Sequence, residues 1–253
     1  MKIALFADTH SNLEALQACL AHAAQAGAGR SVFLGDIVGY GADPVACLDL
    51  IARQADGGAL LVRGNHDQAA LGGLGENMNP VARDAIYWTR AQLGAVERSF
   101  LSTLPLTARH GDLLFVHASA DKPGDWPYVH GSDQAELCLN ATDASICFVG
   151  HVHHQMLYWS TMPGQRKPVS GVGSFTPTPG ASIPLTRNRK WLAIAGSVGQ
   201  PRDGNNAASY ALFDDESRLL TFYRVPYDHL AAARKILAAG LPEQLAQQLQ
   251  RGE

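Results

Sequence analysis

The chain has 253 residues, 46% of them hydrophobic, with 20 Lys and Arg against 23 Asp and Glu and a formal net charge of -3. That length suffices for one large domain or two small ones, and for a sizeable core. The acidic balance excludes a basic stripe for gripping polymeric nucleic acid, and no apolar run reaches the length needed to cross a bilayer.

Met1-Lys2 leads straight into a strand pattern without signal-peptide regions, so a cytoplasmic protein is expected. The run Lys2 to Ala7 is apolar and ends in Asp8-Thr9-His10. On an extended segment residues i and i+2 point the same way, so Asp8 and His10 are expected to converge. They would be half of a transition-metal site or an ordinary solvated strand end. Ser11 or Asn12 then caps a helix carrying Leu13, Leu16 and Leu20 at helical spacing. Ser31 to Leu34 is the next strand, closed by Gly35-Asp36. Strand, helix and strand make a βαβ unit with parallel strands, and ligands in such sheets bind at the carboxyl ends of strands.

Pro44 suits the first turn of a second helix, running to about Gln54. The third apolar run, Ala59 to Val62, delivers Gly64-Asn65-His66-Asp67, which reads as a turn or as chemistry placed on a strand end. From Asn79-Pro80 to Thr103 the pattern is helical. Leu104 to Arg109 and Leu113 to Val116 flank Gly111-Asp112 as a hairpin ending at His117. Residues 121–132 form a polar loop with Trp126, Tyr128 and His130 that either frames a substrate or is a surface excursion. A short helix around Gln134 to Leu139 precedes the strand Ile146 to Val149, which ends in Gly150-His151-Val152-His153. From Gln155 to Phe222 strand signals predominate, with turns at Pro163-Gly164 and Pro179-Gly180, and a second, more antiparallel sheet is expected there. Asp228 to Ala239 and Pro242 to Arg251 are expected as a helical pair on the outside. Without a linker or repeat, residues 1–253 read most economically as one domain. Cys19, Cys47, Cys138 and Cys147 are widely spaced and contain no CxxC, so they read as buried hydrophobes in a reducing compartment.

The strand-end groups are Asp8, His10, Asp36, Asn65, His117, His151 and His153. Seven donors exceed one ion's needs; with Asp36 bridging, two divalent metals receive four ligands each. Oxygen and imidazole donors without thiolate suit Mn, Fe or Zn.

This set resembles the calcineurin-like metallophosphoesterase signature. It appears as Asp8-Thr9-His10, Gly35-Asp36, Gly64-Asn65-His66-Asp67, His117 and Gly150-His151-Val152-His153. The loop 196–204 and the tail around Gly240-Leu241-Pro242 resemble a bacterial branch described as phosphodiesterase-like or diadenosine-tetraphosphatase-like. The resemblance implies an α/β four-layer sandwich: two mixed sheets face to face, with helices on both outer sides. It implies that Asp8, His10, Asp36 and His153 hold one metal and that Asp36, Asn65, His117 and His151 hold the other. His66 would be the catalytic histidine that binds no metal and serves the leaving oxygen. Two cations about 3.5–4 Å apart neutralise phosphate, acidify a bridging water and support in-line displacement. A histidine with an ordinary pKa near 6.5 can protonate an alkoxide. Asp67 would orient His66 or finish the turn.

Protein Ser/Thr phosphatases of the superfamily carry Gly-Asp-x-x-Asp-Arg-Gly, and here Gly39 and Tyr40 replace that Asp and Arg. Arg202 is a candidate phosphate contact or a surface arginine. Ala118 follows the lone histidine where glycine is usual, and Ile194-Ala195 stands where Asn-Pro is expected. The expectation is an enzyme hydrolysing a small phosphodiester or nucleotide by attack of a metal-bridged hydroxide. A phosphomonoesterase or phosphoprotein phosphatase, and a metal-binding scaffold without catalysis, are the alternatives. The partner expected is a small substrate, with neither membrane nor polymeric nucleic acid; the oligomeric state is left open.

Overall fold

The computed structural model describes residues 1–72, 78–161 and 171–253. Its first half alternates strands and helices. Strand β1 (Lys2–Phe6) is followed by helix α1 (Leu13–Gln25), β2 (Arg30–Phe33), α2 (Pro44–Asp56), β3 (Leu60–Leu61) and α3 (Asn65–Leu71). Helix α1 starts where Asn12 Oδ1 accepts from the Ala15 amide at 3.2 Å, and α2 starts at Pro44, as the capping signals predict. The single helical stretch expected over 79–103 is two helices, α4 (Pro80–Gln92) and α5 (Ala95–Thr103). Leu93 is extended, and Gly94 caps the second helix with its amide on Glu97 Oε2 at 2.8 Å. Apolar spacing carried across that break and concealed it.

The hairpin is β4 (Thr107–His110) and β5 (Leu113–Val116), followed by α6 (Ser132–Asn140) and β6 (Ile146–Val149). Then come β7 (Gln155–Thr161), β8 (Gly173–Phe175), β9 (Ser182–Pro184), β10 (Arg189–Ala195), β11 (Ala208–Asp214) and β12 (Leu219–Val225). These late strands do not form a sheet of their own, contrary to expectation. They complete two six-stranded mixed sheets, ordered β3-β2-β1-β11-β12-β9 and β4-β5-β6-β10-β7-β8. The reason is edge pairing. Strand β1 is free on one side to take β11 antiparallel, and β6 is free to take β10 parallel. Local period cannot tell which open edge a strand will join. The turn at Pro179-Gly180 is present; the one expected at Pro163-Gly164 lies outside the described residues.

Alternation along each strand builds the layers. Ile3 and Leu5 face the space between the sheets, with Phe213, Phe222, Phe115, Phe148 and Trp191. Ala4 and Phe6 face outward against α1, α2 and α5. Helix α6 covers the second sheet through Cys138 and Leu139. The C-terminal pair, α7 (His229–Ala238) and α8 (Glu243–Arg251), packs outside against Tyr40, Ala82 and Ala85. All four cysteines are buried and free. Among the described residues no helix is long and apolar enough to cross a membrane.

Candidate metal centre

Strands β1, β2 and β3 are mutually parallel, as are β5, β6 and β10, so their carboxyl ends bring six loops together. Five of those loops carry Asp8 and His10, Asp36, Asn65 and His66, His117, and His151 and His153. Asp8, His10, Asp36, His117, His151 and His153 are all buried.

The convergence is not the alternation of an extended segment that was expected. Strand β1 stops at Phe6, and Asp8 and His10 have φ of 53° and 48°. Asp36, His151 and His153 are likewise left-handed, at 53°, 68° and 67°. Each such residue costs roughly 1–2 kcal/mol relative to the right-handed form. The loops hold one another in place beyond the strand ends. The amides of Asp8, His10 and Ser11 donate to the carbonyls of Gly35, Asp36 and Ile37 at 2.9–3.1 Å. Those of Val198 and Gly199 donate to Ala7 and Asp8 at 2.9 Å. Backbone strain gathered at one polar site is a mark of functional geometry.

The tetrapeptide at 64–67 is not a simple turn but the start of α3. Gly64 caps it, and the space there admits no side chain: a Cβ would lie 2.1 Å from Asp36 Oδ1. Asp36 Oδ1 accepts from the His66 amide at 2.8 Å. Asp67 is fully buried; its Oδ2 accepts from the Gly64 amide at 3.0 Å and its Oδ1 from Ile37 at 2.8 Å and Val38 at 3.2 Å. It therefore ties the β2 loop to the helix start, which is closer to finishing a turn than to orienting His66.

The imidazoles are oriented by backbone carbonyls. The Nδ1 atoms of His10, His117 and His153 lie 3.2, 2.7 and 2.6 Å from the carbonyls of Val38, Leu34 and Gln200. His151 uses its other nitrogen, with Nε2 3.1 Å from Trp126 O. A carbonyl only accepts, so each outer nitrogen carries a proton, and a ring that is neutral aims a lone pair inward.

Inside, His10 Nε2 and His153 Nε2 are 3.1 Å apart, and Asp8 Oδ1 is 3.5 Å from the latter. His117 Nε2 lies 3.1 Å from His151 Nδ1 and 3.0 Å from Asn65 Oδ1. Asp36 Oδ2 stands between the groups, 3.7 Å from His10 Nε2 and 3.4 Å from His117 Nε2. Among the described residues, compact sets of metal-type donors are Asp8, His10, His153; His10, Asp36, His66; and Asp36, His117, His151.

The electrostatics of the buried groups differ across the centre. Burial pushes the Asp8 carboxyl up to about 8, and holds His10, His153 and His151 below the ordinary imidazole range, His151 at about 3. For His117 burial opposes the charge, but Asp36 more than offsets it and the ring is raised to about 9. A proton thus serves the His117 side of the metal-free protein. The His10–His153 pair has none, and two lone pairs face one another. Facing lone pairs, buried carboxylates and an amide oxygen fit divalent cations and little else.

His66 is buried, with its ring centroid 4.8 Å from His10 and 4.5 Å from Tyr40. Among the described residues its Nδ1 has no partner. Gly39 makes room for it: at φ 96° it is left-handed, and a Cβ there would approach His66 Nδ1 to 2.4 Å. Burial pulls His66 down to about 4. Arg202 is exposed, yet it reaches the centre's edge, with Nη2 3.3 Å from Tyr40 Oη and 2.9 Å from Gln200 Oε1. His154, next to the pair, is half-buried, and burial and His130 lower it.

Sequence reasoning did not place Trp126 and Tyr128 at the centre. Lys122 and Trp126, at φ 50° and 56°, bracket a single 3-10 turn (Pro123–Asp125). The chain then lays Tyr128 on His151, centroids 3.9 Å apart and 21° from parallel. The two aromatics in the Pro/Gly loop were the available signal.

A pair of stacked mixed sheets with such a centre defines a metallophosphoesterase. The calcineurin-like phosphoesterase family model matches residues 1–155, and the chain belongs to that family. An uncharacterized protein of Methanocaldococcus jannaschii is 37% identical over 252 residues, 98% of this chain and 96% of that one. The crystal structure of a metallophosphoesterase from Sphaerobacter thermophilus is 37% identical, each chain covering 100% of the other, with a TM-score of 0.86. A hypothetical protein from Pyrococcus horikoshii, 20% identical over 100% of this chain and 98% of that one, shares the fold at a TM-score of 0.78.

Proposed function

We propose that the protein hydrolyses a small phosphodiester or nucleotide, using two divalent cations. The observation that carries this reading is the pair of donor sets joined through Asp36 Oδ2. Asp8, His10, Asp36 and His153 would hold one ion, and Asp36, Asn65, His117 and His151 the other. Such cations, here manganese, iron or zinc, supply positive charge for phosphoryl oxygens and acidify water. The chain's own residues do the rest. The carbonyls of Val38, Leu34, Gln200 and Trp126 keep the imidazoles aimed inward. Burial removes competing water. His66 serves the leaving oxygen, protonating it or stabilising its charge through a ring N–H, and its Nδ1 has no partner among the described residues. Arg202, held over Tyr40 at 5.7 Å from the ring centroid, binds phosphoryl oxygens from the far loop, where the Ser/Thr phosphatases use the arginine that Tyr40 replaces.

The first test is turnover of a chromogenic phosphodiester and its matching monoester after chelator stripping. Added manganese is expected to restore turnover, with the diester preferred. Turnover untouched by chelation would sink the reading, and turnover of the monoester alone would favour the phosphomonoesterase alternative. For Arg202, the Arg202→Ala protein is expected to show a KM raised about tenfold, the scale of one charge-assisted hydrogen bond. Its kcat should change little. A KM within twofold of the parent's would make Arg202 a surface arginine.

A further inference from the structure

A cavity of about 300 Å³ opens beside the metal centre, with Asn65, His66 and His151 in its lining. Its size is at the low end for ligand sites, roughly 300–1,000 Å³. Its remaining walls are aromatic and apolar: Tyr40, Trp126, Tyr128, Met78 and Ala82. Asn79 and Asp125 stand at the exposed rim. No lysine or arginine is among its described lining residues.

Among the described residues, two lining residues carry buried polar atoms without a partner, Trp126 Nε1 and His66 Nδ1. An unpaired buried donor is costly, so the indole N–H of Trp126 favours a ligand bearing an acceptor. Asn79 spends its Oδ1 on the Ala82 amide at 2.9 Å, leaving its amide nitrogen as a donor at the rim. The Asp125 carboxylate offers an acceptor close by. Flat apolar walls with both donors and acceptors suit a planar heteroaromatic ring. Arg202, 3.3 Å from Tyr40 Oη, serves the one phosphoryl group at the metal edge, and the Asp125 charge at the rim disfavours a second.

We infer that this cavity takes the nucleobase and sugar of a nucleoside phosphoester carrying a single phosphoryl group. The inference rests on the reading of the centre as a phosphoester site and narrows it. A dinucleoside polyphosphate fails because its extra phosphates would lie against uncompensated apolar and acidic walls. A phosphopeptide lacks the ring.

The test separates this ligand class from the reaction by measuring binding alone. Adenosine and ribose, neither holding phosphate, are titrated calorimetrically into the metal-loaded protein and into its Trp126→Ala variant. Adenosine is expected to saturate the parent protein while ribose does not. Trp126→Ala should weaken adenosine at least tenfold, as loss of one stacking partner does. The carbonyl that holds His151 belongs to the backbone, so metal content should stay at the parent level. Should the variant fail to fold, saturation-transfer NMR on the parent protein decides: the base protons should receive more saturation than the ribose protons. No saturable adenosine binding, ribose binding equally well, or saturation concentrated on the sugar would overturn the inference, whatever the hydrolysis assays show. Adenosine binding in the expected pattern, without turnover of any phosphoester, would support the cavity's ligand class and remove the hydrolase reading instead.

Discussion

Asp36→Asn is expected to lose metal and activity together. The carboxylate has two separate tasks. Its Oδ1 accepts the His66 amide at 2.8 Å and so helps set the start of α3. Its Oδ2 faces His10 and His117 at 3.7 and 3.4 Å, between the two proposed ion positions. Asparagine can keep the first task through its amide oxygen, so the fold should survive. It cannot keep the second, because the remaining group is neutral and donates hydrogen where a cation would sit. The charge balance shifts as well. In the metal-free protein Asp36 is held well below the usual carboxylate range; burial opposes this, but His117 and His66 outweigh it. Metal content is expected to fall from about two ions per chain to one or fewer. Several kcal/mol of charge stabilisation lost from the reaction corresponds to a rate drop of about 10³-fold. Elemental analysis and steady-state turnover on one preparation check both. A variant that stays fully metallated and active would sink the two-metal reading, while an unfolded one by circular dichroism would place the role of Asp36 in the fold.

Much of this centre was legible because each donor follows an apolar run. Ile3 to Ala7, Val32 to Leu34, Leu113 to Val116 and Ile146 to Val149 are almost wholly buried, and such runs announce strands without any structure in hand. What lies after the runs was legible as chemistry and illegible as geometry. Asp8 and His10 converge through two left-handed residues held by the neighbouring loop, not through strand alternation. The hydrogen bonds that hold them are backbone to backbone, and no side-chain pattern encodes those. The same holds for the four carbonyls that orient the histidines, since any residue could supply them. The pairing of β11 with β1 and β10 with β6 was hidden for another reason: strand signals are local and edge choice is not. Gly39 shows the middle case. As a sequence symbol it marked only the loss of a family aspartate. In the fold its missing Cβ is what admits the His66 ring, so the departure from the phosphatase pattern carries a packing role of its own.

That ring is the subject of the second large effect. His66→Ala should keep the metals: although His66 lies in a compact set with His10 and Asp36, the sets Asp8, His10, His153 and Asp36, His117, His151 stay complete without it. The loss should fall on the leaving group. A nitrophenolate departs without help, whereas an alkoxide needs a proton in the transition state. General acid catalysis contributes typically 10²–10⁴-fold, so alkyl esters should slow by about that factor and nitrophenyl esters by far less. Plotted against leaving-group pKa, log kcat should fall more steeply in the variant than in the parent. Removing the ring also opens space between His10 and Tyr40, whose centroids lie 4.8 and 4.5 Å from it. A purely structural role would therefore lower all substrates alike and leave the slope unchanged. His66→Gln, which fills the space and retains a donor without an acid's pKa, separates the two accounts. Recovery of alkyl-ester turnover to the parent level in that variant would assign His66 to packing or hydrogen bonding. A slope as steep as that of His66→Ala would assign it to proton transfer, a task that burial opposes by holding the ring at about 4 and that the neighbouring Asp36 charge favours.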